Sequence, residues 1–354
     1  MASQSRPPNA SESGGLIVVD EEDTRSVVME IIKSLGKKLM QGDFMDIMRV
    51  SRPASISYPM TYLQAAVQDF SYCLFLEWAS STQDPIRRLQ LVTAFMISGL
   101  HINPMKMKNK PPLNPILGET YSSQREDGTL IWLEQTCHHP PISNWEMHGP
   151  NGSYTFMGHG TLVAGLSGPN TLRAYKRGKH IVKFPDGGVI EYTTPHMNIS
   201  GLVYGDRTVN FIGQCEVKDP VNMIKCDITF GGYNGWGKWF KSKLSSFFSS
   251  KKAPSDFFEA VIKQYSDNSD KTIEICKGGG SWLEYVEFNQ EKLWQIGMET
   301  GGTWTDSETF LPSDSRCRPD LGHLLNRDIP NAQAAKDTLE NLQRHDRALR
   351  KSHK

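Results

Sequence analysis

Between residues 118 and 290 the chain is a succession of short β-rich runs with no helix-length pattern between them. That feature limits the fold more than any other. TLIWLEQTC, SYTFMGHG, TLRAYK, KHIVKF, VIEYTT, TVNFIG, MIKCDITF, EAVIKQY, KTIEIC and WLEYVEF are strand-length and rich in β-branched and aromatic residues. They are punctuated by Glu126-Asp127-Gly128, Gly149-Pro150-Asn151-Gly152, Pro185-Asp186-Gly187-Gly188 and Asp267-Asn268-Ser269-Asp270, the residues of tight turns. A parallel sheet needs a crossover of about a dozen residues or more between strands, usually a helix. None is present, so the region reads as an antiparallel meander. So many sequential strands suggest a large barrel, because closure removes exposed edges. A barrel of that size can hold a ligand.

Helical patterns flank the meander. TYLQAAVQDFSYCLFLEWAS and DPIRRLQLVTAFMISGLH read as two helices over 61–101, the second capped by Asp84 with Pro85 at its first position. Upstream, Val27, Val28, Ile31, Ile32, Leu35 and Leu39 recur at helical spacing with Lys33, Lys37 and Lys38 behind them. That stretch is either packed on a core or a mobile amphipathic cover. Residues 1–15 are polar, with Pro and Gly, and read as disordered. The stretch 231–256 interrupts the meander. Trp236, Trp239, Phe240, Phe247 and Phe248 form its apolar stripe, ringed by lysines, with no acid before Asp256. This is either a helix or loop capping the barrel or a membrane-contacting element. The tail 331–354 reads as a polar helix on which Lys336, Glu340 and Arg344 fall within about 80° of one another. Taken alone, that stripe is a solvated salt-bridged face.

Charge and cysteine usage narrow the function. Lys plus Arg and Asp plus Glu both number 39, so the basic excess of a generic nucleic-acid binder is missing. The six cysteines form no C-x-x-C pair and no dense framework, which argues against both a zinc site and a disulfide scaffold. No signal peptide opens the chain, and its most apolar window is about half the length that spans a bilayer. The expectation is a cytoplasmic chain that needs no cofactor or metal and meets membranes only peripherally.

Two strings carry the chemistry. Glu134-Gln135-Thr136-Cys137-His138-His139-Pro140-Pro141 ends a strand, because the prolines remove two backbone donors. It presents two imidazoles near one site, as structural groups, anion ligands, metal ligands or a general base. No H-x-x-x-H or C-x-x-C companion supplies a third metal ligand. Lys110-Pro111-Pro112-Leu113-Asn114-Pro115-Ile116-Leu117-Gly118-Glu119-Thr120 is a stiff loop carrying donors suited to phosphate.

Together, NPILGET and EQTCHHPP resemble the lipid-binding domain of the oxysterol-binding protein-related family. Thr136 and Cys137 depart from its usual E-Q-V-S-H-H-P-P. Asp84-Pro85-Ile86-Arg87-Arg88, Trp282-Leu283-Glu284-Tyr285-Val286, Trp304-Thr305-Asp306-Ser307 and Ser313-Asp314-Ser315-Arg316-Cys317-Arg318-Pro319-Asp320 resemble its further blocks, so the likeness spans about residues 25–350.

The resemblance implies a mainly β, α+β fold. An incomplete antiparallel β-barrel (about 118–290) would enclose a lipid tunnel, with a lid at 23–49, helices at 61–101 and a C-terminal helical subdomain at 291–354. All of it would form one lipid-binding domain over 16–354. It implies no catalysis. The implied activity is exchange of a sterol, or phosphatidylserine, for phosphatidylinositol 4-phosphate between membranes. A lipid sensor acting through a protein partner is the alternative. The family's headgroup site falls on His138, His139, Lys110, Asn114, Lys336, Glu340 and Arg344. The loop has one residue more than usual between Lys110 and Asn114, which leaves Lys108 as a substitute. Asp256-Phe257-Phe258-Glu259-Ala260 faintly resembles a two-phenylalanine receptor-binding motif, although Ile262 stands where an acid is expected. No pleckstrin-homology or ankyrin segment is legible, and the chain reads as a stand-alone lipid-transfer domain.

Overall fold

The computed structural model describes residues 6–18, 51–108, 110–231, 254–267 and 269–352. The lid expected at 23–49 and the stripe Trp236, Trp239, Phe240, Phe247 and Phe248 lie outside the described residues. Three short strands come first: β1 (Leu16–Ile17), β2 (Tyr58–Thr61) and β3 (Pro112–Leu113). The meander then runs through β4 (Thr120–Gln124), β5 (Leu130–His138), β6 (Pro141–His148), β7 (Thr155–Leu166), β8 (Thr171–Arg177), β9 (His180–Lys183) and β10 (Val189–Tyr192). It continues through β11 (His196–Ser200), β12 (Thr208–Asp219), β13 (Ile224–Phe230), β14 (Phe257–Ser266), β15 (Ser269–Ser281), β16 (Tyr285–Phe288), β17 (Glu291–Gln295) and β18 (Thr305–Asp306).

All of these strands except β2 and β3 join one 16-stranded antiparallel sheet. Its path runs from β17 to β18, and those two ends do not pair, so the barrel is incomplete. The wall is two-tiered where β7 and β12 each change partners. The first half of β7 pairs with β9 and its second half with β8. Likewise, β12 pairs with β11 through Thr208–Ile212 and with β10 at Val217 and Lys218. The period of two is clean in β13, where Ile224, Cys226, Ile228 and Phe230 are buried and the residues between them are not.

Four helices precede the meander: α1 (Tyr62–Gln68), α2 (Leu74–Ser81), α3 (Pro85–Ser98) and α4 (Ile102–Met107). Asp84 caps α3 as expected, its Oδ1 accepting from Ile86 N at 2.9 Å. The expected helix over 61–80, however, is broken at Asp69–Cys73. Gly99 packs so closely there that a Cβ would lie 2.0 Å from the Asp69 carbonyl oxygen. The Asp69 carboxylate is also drawn away, accepting from Asn103 Nδ2 at 2.6 Å and Lys176 Nζ at 2.9 Å. Buried on nearly every side, α3 packs on β12, β13, β16 and β17. Phe70, Phe95, Trp145, Phe156, His180 and Tyr192 stack into an aromatic plug, with ring centroids 4.4–6.5 Å apart.

Residues 6–15, part of the stretch read as disordered, are held against the barrel. Arg6 donates to Asp256 Oδ1 at 2.8 Å and to Glu284 Oε1 at 3.0 Å, and β1 pairs with β12. Leu16 is fully buried, so a polar-looking segment is held by one anchoring arginine and a short apolar run. The two-phenylalanine string is not available as a docking peptide, because Asp256, Phe257 and Phe258 are buried at the start of β14.

The C-terminal part carries α5 (Pro319–Leu325) and α6 (Ile329–Ser352). A second small core of Ala54, Leu113, Leu321, Leu324 and Ala332 holds them to the loop before the barrel. Beside it lies a buried ion cluster. Arg318 donates to Glu119 Oε2 at 2.7 Å and to Asp320 Oδ2 at 2.6 Å, and Ser315 Oγ donates to Glu119 Oε1 at 2.6 Å. Two of the motif blocks, NPILGET and SDSRCRPD, thus meet through a charge pairing. All six cysteines are free. Among the described residues no helix is long and apolar enough to cross a membrane.

Candidate functional site

Strand alternation decides where the Glu134–Pro141 string points. Gln135 faces inward, its Nε2 donating to the Cys137 carbonyl at 2.8 Å and its Oε1 accepting from Ser143 Oγ. Thr136 faces outward, and its Oγ1 accepts from Asn144 Nδ2 at 2.6 Å. β5 ends at His138 and β6 begins at Pro141, which leaves His139 and Pro140 at the turn with a cis peptide between them. The two imidazoles lie 4.7 Å apart between centroids. His138 Nδ1 is buried without a hydrogen-bond partner.

The Asn114–Thr120 loop is held in shape by Glu119, whose Oε2 accepts from Ile116 N at 2.9 Å. Leu117 N donates to Gln343 Oε1 at 3.3 Å, so the loop also touches α6. On α6, Lys336 Nζ donates to Glu340 Oε1 and to Ser51 Oγ, the latter at 2.7 Å. Ser51 Oγ donates in turn to Glu340 Oε1 at 2.9 Å, and Arg344 Nη2 donates to Glu340 Oε2 at 2.8 Å.

These elements enclose a basic cavity of about 330 Å³ lined by Asn114, Cys137, His138, His139, Lys336, Glu340 and Arg344, together with Ser51, Arg318, Gln343, Arg347 and Arg350. A second cavity of about 420 Å³ adjoins it and shares Asn114, Pro115 and His138. Its walls are Leu162, Ala164 and Leu166 of β7, Leu172 and Ala174 of β8, Met197 and Ile199 of β11, and Phe211 of β12. Asp69 and Lys176 line it beside the aromatic plug.

The structure therefore brings six of the seven residues singled out from the sequence to one cavity. Lys110 lines the apolar cavity instead, along with Asn114 and His138. Lys108 lines neither; it caps α4 in the left-handed region, with φ at 45°. Sequence reasoning missed Ser51 and Arg52. Arg52 donates to Asn114 Oδ1 at 2.5 Å and to the Pro112 carbonyl at 3.1 Å. Both residues reach the site from a part of the chain distant in sequence, where no periodicity announces them.

The electrostatics suit an anionic ligand. Burial lowers the His138 pKa below the usual imidazole value, and the charges of His139, Arg347 and Arg318 add to that against the pull of Glu340. These influences disfavour a charged His138. Burial works against the Glu340 carboxylate, yet hydrogen bonds from Lys336 and Ser51 and the charges of Lys336 and Arg344 keep its pKa below the usual value. Burial pushes the Arg52 guanidinium down to about 10, opposed by Glu340. Among the described residues no cluster could hold a metal ion.

The family model described as oxysterol-binding protein matches residues 37–354. Oxysterol-binding protein 9 of Dictyostelium discoideum is 31% identical over 353 residues, a match that covers 96% of this chain and 80% of that protein. Human oxysterol-binding protein-related protein 6 is 42% identical over 201 residues, 54% of this chain and 20% of that protein. Against human oxysterol-binding protein-related protein 1, at 24% identity, the chain spans 36% of the relative's length. Among solved structures, the Osh3 ORD in complex with PI(4)P from Saccharomyces cerevisiae superposes with a TM-score of 0.71 at 22% identity, covering 98% of this chain and 88% of that one. The Osh1 ORD domain in complex with cholesterol gives 0.69 at 20% identity, covering 99% and 84%. At these identities the superpositions establish the shared fold, an incomplete β-barrel around an internal cavity. The matched family model and the Dictyostelium relative establish the lineage: this chain belongs to the oxysterol-binding protein family.

Proposed function

We propose that the protein is a lipid-transfer protein that holds one lipid at a time, its headgroup in the basic cavity and its apolar body in the adjoining tunnel. The observation that carries this reading is the junction at Asn114 and His138, which belong to both cavities, so that a single amphiphile fits across it. Apolar chains need only the leucine- and alanine-lined wall. At about 0.8 kcal/mol per methylene, a dozen buried methylenes contribute about 10 kcal/mol before ordering costs. A phosphomonoester on inositol adds about −1.5 to −2 charges to that of the diester. Lys336, Arg344 and the two histidines face it, while Glu340 orients the cations and can accept from ring hydroxyls. A bound phosphate favours protonated His138, offsetting the burial that disfavours its charge.

The ligands of the structural relatives, phosphatidylinositol 4-phosphate for Osh3 and cholesterol and ergosterol for Osh1, support the two lipid classes. The cycle we propose exchanges a sterol or phosphatidylserine for phosphatidylinositol 4-phosphate at membrane surfaces, with no bond made or broken. The test is extraction from liposomes carrying labelled phosphatidylinositol 4-phosphate, sterol or phosphatidylserine. The wild type extracts the phosphoinositide and a second lipid, which names the counter-cargo, whereas a His138→Ala/His139→Ala variant loses the phosphoinositide alone. Equal sterol extraction by both proteins, with no phosphoinositide taken by either, would refute the exchange.

A further inference from the structure

Ser51 sits where the charge of the basic cavity converges. Its Oγ accepts from Lys336 Nζ at 2.7 Å and donates to Glu340 Oε1 at 2.9 Å. Lys336 is only 6% exposed, so its ammonium group is a desolvated cation held in place rather than a surface lysine. Arg344, Arg347 and Arg350 line the same cavity, and His138 Nδ1 is buried there without a hydrogen-bond partner. Glu340 is the one acid among the described residues that line it. Arg318 is already matched by Glu119 and Asp320. The four other cations against Glu340 leave three positive charges around the Ser51 hydroxyl before the histidines titrate.

The chain around this hydroxyl suits an enzyme that modifies it. Ser51 is exposed, and residues 51–53 lie outside any helix or strand, with Pro53 extended at φ −57° and ψ 143°. Protein kinases bind their substrates extended and discriminate them by flanking charge. Arg49 stands two residues before Ser51, and Arg52 follows it. Thr136, the other hydroxyl residue among those described in the cavity wall, differs on both counts. It lies within β5, and Glu134 stands two residues before it.

We propose that Ser51 is a phosphorylation site, and that its phosphate fills the anion site of this cavity and shuts out the headgroup. The Ser51 hydroxyl oxygen bonds to the γ-phosphorus of ATP as the bond from that phosphorus to the β–γ bridging oxygen breaks. ADP leaves, and the hydroxyl proton passes to the kinase's base. The product places about −1.5 to −2 charges on an oxygen that already touches Lys336. That cancels half or more of the three positive charges, on which the headgroup's own phosphomonoester depends. Glu340 loses the Ser51 donor but keeps Lys336 and Arg344. A group on a short tether acts at an effective concentration of about a millimolar. A site that holds phosphate with a Kd of about 0.1 mM or below then binds free headgroup at least tenfold more weakly. This rests on reading the cavity as a headgroup site, and the experiment separates the two claims.

The full chain is incubated with ATP and a basophilic kinase, the catalytic fragment of protein kinase C, and the modified residue is read by mass spectrometry. In parallel, the full chain is made with phosphoserine installed at position 51. Calorimetry then follows glycerophosphoinositol 4-phosphate binding to the unmodified chain, to the phosphorylated chain, and to the latter after phosphatase treatment. The expected result is kinase modification at Ser51, at least tenfold weaker headgroup binding by the phosphorylated chain, and recovery after phosphatase. Phosphorus NMR reads the phosphate itself, which titrates below its ordinary value of about 6 when cations hold it. A folded chain that the kinase leaves unmodified at Ser51 overturns the modification site. Equal headgroup binding with and without the phosphate overturns the self-occupation, as does weakened binding with the phosphate still titrating near 6. An unmodified chain that binds no headgroup overturns the headgroup reading instead, and the phosphate's titration then decides the self-occupation by itself.

Discussion

Replacing Arg318 by methionine tests how the basic cavity is held together. Arg318 is 6% exposed, and its carboxylate partners Glu119 and Asp320 are 1% and 0% exposed. It ties the Asn114–Thr120 loop to α5, through Glu119 and the Asn114 carbonyl on one side and Asp320 on the other. Burial works against the guanidinium, and the two carboxylates outweigh it, raising its pKa above the usual arginine value. Removing one partner of a buried ion pair costs about 3–5 kcal/mol, because the remaining charge is left uncompensated. That is a large share of a total stability of about 5–15 kcal/mol. Urea unfolding of wild type and Arg318→Met at pH 7.5 reads this difference directly. The stranded carboxylates favour their protonated forms, so the penalty shrinks when the pair of measurements is repeated at pH 5.5. The triple variant Arg318→Met/Glu119→Gln/Asp320→Asn removes charge on both sides and costs less than the single change. A single-variant penalty under about 1 kcal/mol, or one that grows as the pH falls, would refute the reasoning.

Two further predictions concern protons. Headgroup binding takes up protons, because burial disfavours the charged form of His138 and a phosphate beside it favours that form. Lowering the pH from 8 toward 6 therefore strengthens binding by up to tenfold per unit for each proton taken up. The phosphomonoester's own ionisation near pH 6 works the other way, so the quantity to measure is the slope of wild type minus that of His138→Ala/His139→Ala; equal slopes would contradict the assignment. His101, in contrast, is a stability group. Burial pushes its pKa down to about 4, and it packs against Tyr72 and Trp294 with its Nδ1 buried and without a hydrogen-bond partner. Between pH 6.5 and 4 the unfolded chain binds a proton that the folded chain does not, so stability falls with pH by up to about 3 kcal/mol. His101→Gln flattens that part of the urea-midpoint profile; an unaltered profile would rule out the residue as its source.

The antiparallel meander was legible because strands write a period of two and turns write Gly, Asn and Asp, both local signals. The Asp84 cap and the Lys336–Glu340–Arg344 stripe were legible for the same reason. The break at Asp69–Cys73 was not, because it depends on Gly99 and Lys176, which are distant in sequence. The docking of residues 6–18 escaped a compositional reading, since one ion-paired arginine and three buried side chains barely alter composition. Lys110 was assigned to the headgroup from its place in the motif. The extra residue before Asn114 goes with a side chain on the tunnel side, where spacing alone gives no direction. Ser51 and Arg52 enter from an irregular segment that no pattern marks.

The central claim is that one molecule occupies both cavities, and a blocked tunnel tests it most directly. Ala164 and Ala174 face each other across β7 and β8 and line the apolar cavity. Ala164→Trp fills that space without touching the basic cavity. The measurement is extraction of phosphatidylinositol 4-phosphate from liposomes, paired with calorimetry of its soluble headgroup. The account predicts that Ala164→Trp binds the headgroup and fails to extract the lipid. Undiminished extraction by that variant would show that the acyl chains lie elsewhere and contradict the account.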